Sequence, residues 1–187
     1  MSKQSGVQLL DGFKIIKPLG QGAFGEVLLA EDAKKRPVAL KFLKIEAGPQ
    51  RGEQEKFIDR FKQEFALLAE LRHRNLARVF DFGFDPAGKR YFFTQEFCAG
   101  KNFLETLDGK PLASFEEALV QILSALDYIH SLGVVHFDIK AENVIVGEEN
   151  GKPEVKLLDF GIAARIQAMP ANFGGTPRYM APEVLAR

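Results

Sequence analysis

The chain has 187 residues, 46% hydrophobic and 27% charged, the balance of a globular protein with a buried core. Its 25 basic and 25 acidic side chains cancel, so bulk charge gives no reason to expect nucleic acid or an anionic membrane as a partner. A single cysteine, Cys98, excludes an intrachain disulfide and fits a reducing compartment.

Residues 1–12, "MSKQSGVQLLDG", read as an N-terminal extension without the apolar core of a signal peptide. No apolar run approaches the length of a membrane span, so a cytoplasmic protein is the expectation. The first third then reads as strands: "FKIIKPLG" from Phe13, "GEVLLAED" from Gly25 and "RPVALKFLKI" from Arg36, separated by Gly, Asp and Pro signals. A polar stretch, "EAGPQRGEQE", leads into a helix near residues 54–72. There Phe57, Phe61, Phe65, Leu68 and Leu71 recur at steps of three and four, the spacing of one apolar helix face. Strands near 77–84 and 90–97 flank the turn "DPAGK".

Beyond that point the texture changes to helix. Ser114 with Glu117 reads as a capping box, followed by Ala118, Leu119, Ile122, Leu123, Leu126 and Ile129 at helical spacing, with Gly133 as the stop. Two short strands follow, "NVIV" and "VKLLDF", joined through Asn150-Gly151, and residues 161–187 read as irregular. The organisation is α+β: a β-rich lobe with one helix over 13–97, a hinge near Glu96–Gly100, and a helical lobe over 98–187.

Chemistry concentrates in a few stretches. "GQGAFGEV" sets glycines at 20, 22 and 25 between two strands, where bare backbone N–H groups can approach phosphate oxygens. An ordinary turn has the same composition, but a dinucleotide fold would need a helix after the glycines, and here a strand follows. Lys41 in "VALKFL" reads either as an edge lysine in solvent or as a buried ammonium that needs an anion. Glu64, on the inward face of the first helix, is the candidate partner, with a solvated position at the margin of that face as the alternative. In "VVHFDIKAENVIV", Asp138, Lys140 and Asn143 stand between apolar runs, and Asp159 follows in "LLDFG". Such hard oxygen donors suit Mg²⁺ carrying substrate phosphates, while each residue singly is an ordinary turn residue or cap. His136, between Val135 and Phe137, reads as a packed core histidine.

In this order the stretches resemble the catalytic domain of eukaryotic-type Ser/Thr protein kinases over residues 13 to 187. The resemblance implies a bilobal fold with a complete β-rich N-lobe and an incomplete helical C-lobe. It implies ATP and Mg²⁺ as cofactors and a protein substrate with a Ser or Thr acceptor. "GQGAFGEV" matches the loop over ATP, "HFDIKAEN" the catalytic loop, "DFG" the magnesium turn and "GTPRYMAPE" the end of the activation segment. The nucleotide would lie against Leu19, Gly20, Gly22, Gly25, Val27 and Ala39 from above and Ile145 from below. Its adenine would bond the backbone at Glu96 and Cys98, with Gln95 at the back of the pocket. Lys41 paired to Glu64 would anchor phosphates, and Asp138 would be the base. Lys140 would contact the γ-phosphate, Asn143 and Asp159 would hold Mg²⁺, and Thr176 would contact Asp138 and Lys140. Leu68, Val79, His136 and Phe160 would stack as a spine.

Lysine two residues after Asp138, with the "GTPRYMAPE" ending, points to Ser/Thr rather than Tyr acceptors. The chain departs from the family where Phe137 replaces the usual arginine and Ala141 a common proline. From Ile162 to Gly175, "IAARIQAMPANFGG" has no Ser, Thr or Tyr, so an activation-loop phosphate switch is expected to be missing. The family continues past the position of Arg187 with helices that cover the helical lobe, so a fragment with further domains after Arg187 is the expectation. A pseudokinase or nucleotide-binding regulatory module is the rival reading.

Overall fold

The computed structural model describes residues 9–10, 12–22, 25–42, 51–158, 164–165 and 176–182; of these, 9, 10, 22, 51–57, 60, 61, 64, 164 and 165 are described by backbone alone. Backbone contacts divide the chain into two compact units, Met1–Glu70 with Arg78–Phe97, and Leu71–Ala77 with Cys98–Arg187.

The first unit is an antiparallel sheet with a helix. Its strands are β1 (Leu9–Leu10), β2 (Phe13–Gly22), β3 (Gly25–Glu31), β4 (Pro37–Phe42), β5 (Val79–Asp85) and β6 (Arg90–Glu96), with helix α1 (Arg51–Glu70) between β4 and β5. The spatial order is β1-β2-β3-β4-β6-β5. Side chains alternate across a pleated strand, so register decides which residues share a face. Leu28 lies opposite Leu40, Ala30 opposite Val38 and Phe42 opposite Phe92. These six form one buried cluster, against which Phe13, Ile15 and Phe80 pack. Gly83 lies opposite Phe92, whose ring occupies the space that a Cβ at Gly83 would need. The other face carries Val27 opposite Lys41, Lys41 opposite Phe93, and Ala39 opposite Gln95. Helix α1 packs on this second face, with the Phe65 ring 5.8 Å from that of Phe82, itself opposite Phe93.

The second unit is built around helix α3 (Leu112–Ser131), with β7 (Lys101–Asn102), α2 (Phe103–Leu107), β8 (Val134–Val135), β9 (Val144–Glu149), β10 (Lys152–Leu157) and β11 (Ala164–Arg165). Strands β10, β9 and β7 form one antiparallel sheet, and β8 pairs with β11. Glu149 pairs with Lys152, which leaves Asn150-Gly151 as a two-residue loop, both at positive φ (54° and 77°) as its twist requires. The short elements β7, α2 and β8 leave no periodic signal, because periodicity needs more residues than they contain. Asn102 caps α2, its Oδ1 accepting from the Glu105 N–H at 3.0 Å.

Several expectations change. Strands β9 and β10 run over Val144–Glu149 and Lys152–Leu157 rather than over "NVIV" and "VKLLDF", and β11 falls within the stretch expected to be irregular. Helix α1 runs from residue 51 to 70 rather than near 54–72. The strand expected from Arg36 to Ile45 is described only over Pro37–Phe42, and residues 43–50 lie outside the described residues. Helix α3 begins after Pro111, and the Ser114 N–H already donates to the Pro111 carbonyl at 3.0 Å. Ser114 and Glu117 are therefore inside the helix and do not cap it. Proline at the entrance needs no N–H, so the helix starts one turn earlier than the serine signal placed it. The buried stripe of α3 is Ala118, Ile122, Ala125 and Ile129, while Leu119, Val120 and Leu123 are exposed. Gly133, at φ 70°, ends the helix as expected, its N–H bonding the His130 carbonyl at 2.9 Å. No helix among the described residues is long and apolar enough to cross a membrane.

Candidate active site

The sequence places His136, Asp138, Lys140 and Asn143 on the link between β8 and β9, both strands being anchored by buried valines. Phe137 passes through this link at φ 63°, a left-handed backbone that a bulky residue adopts at a cost of about 1–2 kcal/mol. The residues on either side of this bend are both buried: His136 is 1% exposed and Asp138 6%.

His136 accepts the Asp138 N–H at Nδ1 (3.2 Å), so its proton sits on Nε2, which donates to the Leu158 carbonyl at 2.9 Å. Burial pushes the imidazole down to about 4, against the raising effect of the Leu158 carbonyl and the Asp138 charge, so the ring is neutral. The Leu158 N–H in turn bonds the Asn143 carbonyl at 2.7 Å. The residue before Asp159 is thus held by both of its backbone polar groups. Asp159 and Phe160 themselves lie outside the described residues.

The Asp138 carboxylate is surrounded by donors. Its Oδ2 lies 2.7 Å from Lys140 Nζ and accepts from Asn143 Nδ2 at 3.0 Å, and its Oδ1 accepts the Thr176 hydroxyl at 2.7 Å. Lys140 Nζ also donates to Thr176 Oγ1 at 3.0 Å. Burial raises the Asp138 pKa, but Lys140, Thr176 and Asn143 outweigh it and hold the carboxyl below the usual range. The group is an ionised acceptor at neutral pH. Asn143 spends its amide protons on the Asp138 carbonyl (2.8 Å) and carboxylate, so the polar atom left on its side chain is the amide oxygen, a hard donor that fits Mg²⁺. Among the described residues no cluster of three or more His, Cys, Asp or Glu could hold a metal ion.

In the first unit, the sheet brings Val27, Ala39, Lys41 and Gln95 onto one face although they are far apart in sequence. Lys41 is half-buried, with Nζ 5.9 Å from the centre of the Phe93 ring, and Gln95 is 3% exposed. Gly20 pairs with Val27 and Gly22 with Gly25, which closes the β2–β3 hairpin on its glycines; Leu19 is exposed. The Glu96 N–H donates to the Arg78 carbonyl at 2.7 Å. The Glu64 side chain lies outside the described residues. In the second unit, Cys98 and Ile145 are half-buried, Ile145 in β9 between Asn102 and Lys156.

Sequence reasoning overlooked Asn75 and Gln121. Asn75, 2% exposed, donates through Nδ2 to Gln121 Oε1 and the Val155 carbonyl, both at 2.8 Å. Its own carbonyl accepts the Leu157 N–H at 2.8 Å, and Gln121 accepts the Val155 N–H at 3.0 Å. Together they fix β10, the strand that runs into Asp159. An asparagine just before the apolar "LARV" was the available signal, and nothing local distinguishes it from a turn residue.

The family model described as the protein kinase domain matches residues 13–187. The chain is 35% identical over 186 residues to serine/threonine-protein kinase pkn2 of Myxococcus xanthus, covering 94% of this chain and 22% of that protein. It is 32% identical to serine/threonine-protein kinase ppk11 of Schizosaccharomyces pombe (92% of this chain, 54% of the relative). Against an Aurora kinase of Dictyostelium discoideum it is 35% identical (95% and 45%). The chain thus spans between about a fifth and about half of the length of these relatives. A match over residues 13–187, on a fold whose β-rich unit and few helices agree with it, assigns this chain to the protein kinase domain family.

Proposed function

We propose that this chain carries out ATP-dependent phosphoryl transfer to Ser and Thr hydroxyls of protein substrates. The observation that carries the reading is the Asp138 carboxylate, which already holds a hydroxyl, that of Thr176, at 2.7 Å from Oδ1 while Lys140 grips Oδ2. An acceptor hydroxyl entering beside it meets an ionised oxygen that orients its proton and takes it as the oxygen bonds to the γ-phosphorus. The bond from that phosphorus to the β-bridging oxygen breaks, and ADP leaves. Lys140 offsets negative charge beside the transferring group. Mg²⁺, held through Asn143 and Asp159, would neutralise the phosphates. In the other unit, Lys41 on the face shared by Val27 and Ala39 anchors phosphate with Glu64 as its partner, and Gln95 sits behind the adenine.

Phe137 has no charge with which to grip a phosphorylated activation segment, and residues 162–175 hold no side chain to phosphorylate. The enzyme therefore works without that switch, in a cytoplasmic setting where Cys98 stays reduced. In the full-length protein, transfer of labelled γ-phosphate to a Ser/Thr peptide should be lost in Lys41→Ala and in Asp138→Asn. Unchanged turnover in either variant refutes the assignment of that residue, and Mg²⁺-dependent nucleotide binding without transfer in the unaltered protein identifies a regulatory module instead.

A further inference from the structure

Arg90, at the start of β6, lies on the sheet face opposite to Lys41. Its guanidinium carbon is 3.9 Å from the centre of the Phe42 ring, close enough for a cation–π contact. Nη2 pairs with the Asp85 carboxylate at 3.4 Å, and Asp85 is 5% exposed. The intervening turn is shaped around this pair. Asp85 accepts the Ala87 N–H at 3.0 Å, and a Cβ at Gly88 would run into both the Asp85 carboxylate and Arg90 Nε. Arg90 is thereby held by two neighbours, Phe42 and Asp85, before it reaches its outward partner. That partner is Glu26, whose Oε2 lies 3.1 Å from Nη1.

Glu26 stands between Gly25 and Val27, in the strand that closes the glycine-rich hairpin, and pairs across it with Gln21. We propose that Arg90 is a positioning residue for the glycine-rich hairpin: held by Asp85 and Phe42, it grips Glu26 from the back of the sheet and sets the height of the hairpin over nucleotide phosphates. Phe42 is the residue after Lys41, so one guanidinium ties the backbone on which the phosphate lysine sits to the backbone that carries Gly25. The Arg90 and Glu26 side chains are 37% and 43% exposed, so the pair is a restraint of modest strength that solvent partly screens. Its importance lies in where it acts. The part of the inference concerning nucleotide rests on the reading of this chain as an ATP-dependent kinase; the restraint on the hairpin does not.

The test uses the full-length protein with Glu26→Gln, Arg90→Met and both together. Amide hydrogen exchange of the peptide covering residues 18–29 should quicken about two- to fivefold in each single variant. The double variant should add nothing further, since the two side chains act as one contact. Exchange over residues 37–42 should stay unchanged in Glu26→Gln, which keeps the Asp85 and Phe42 contacts of Arg90. The KM for ATP should rise by a similar factor with kcat unaltered, a split that general loss of packing would not produce. Unchanged exchange in Glu26→Gln, additive effects in the double variant, or a fall in kcat with constant KM would each overturn the proposal. If the unaltered protein transfers no phosphate, the kinase reading fails while the exchange data still decide whether Arg90 holds the hairpin.

Discussion

Burial and hydrogen bonding oppose one another at Asp138 and His136, and they resolve differently at each. Asp138 loses water but gains Lys140, Thr176 and Asn143, and the donors win, leaving it charged. His136 loses water and gains mainly one carbonyl, and burial wins, pushing its pKa down to about 4 and leaving it neutral at pH 7. Asp138→Asn removes the acceptor and puts an amide against the Lys140 and Asn143 donors; kcat should fall by about 10²–10⁴ with nucleotide affinity little changed, as read by steady-state kinetics beside nucleotide titration. The pH dependence of stability follows from His136. Between pH 6.5 and about 4 the unfolded imidazole binds a proton that the folded one refuses, so acidification favours unfolding across that window. The full loss is about 3 kcal/mol, and urea midpoints taken from pH 7 to pH 4 should show a decline that His136→Gln flattens. Asp138 acts in the same direction but lower. Its folded pKa is depressed, so its contribution is present above the ordinary carboxylate value of 3.8 and is lost only as pH falls through the lowered one.

At the scale of elements, a strand in each unit depends on a side chain of a neighbouring element. In β5, Gly83 leaves room for the Phe92 ring at the centre of the first unit's core. Gly83→Ala drives a methyl group into that ring and should cost about 1–3 kcal/mol, seen as faster hydrogen exchange in β3, β4 and β6. In the second unit, Asn75→Ala takes a buried donor from the Val155 carbonyl and from Gln121 Oε1, which keeps only the Val155 N–H. A cost of about 1–3 kcal/mol is expected, with exchange quickening in β10 while the first unit is unaffected. The opposite pattern, loss in the first unit alone, would contradict the assignment of residues 71–77 to the second.

For the whole molecule, the exposed apolar side chains of α3 set behaviour in solution. Leu112, Val120 and Leu123 are 71%, 65% and 55% exposed, and each forgoes more than half of the about 1.5–3 kcal/mol that full burial would give. A polypeptide of these 187 residues should bind a hydrophobic dye and self-associate, and Val120→Glu with Leu123→Glu should reduce both in light scattering and fluorescence. Regulation belongs to this scale too. With phenylalanine at 137 and no hydroxyl from 162 to 175, phosphatase treatment of the full-length protein should leave its rate nearly unchanged. Thr176 is the exception to watch, because a phosphate on its hydroxyl would crowd Asp138 and lower activity.

The sequence by itself determined the elements whose pattern repeats within a few residues: the alternating strands of the first unit, the loop at Asn150-Gly151, the stop at Gly133, and the ordered motifs that mark the family. It also anticipated a packed histidine at 136 and contacts of Thr176 with Asp138 and Lys140, both present in the structure. Only the tertiary structure decided that α3 starts just after Pro111, and that it buries Ala118 and Ile122 rather than Leu119 and Leu123. Helical spacing allows a broad apolar face, and the packing of β10 and β8 selects the stripe within it. Tertiary structure likewise decided that Asn75 bonds a glutamine 46 residues away, and that Arg90 reaches a glutamate 64 residues before it. Such pairs leave no local trace, because their energy depends on register and burial that exist only once the sheets have formed.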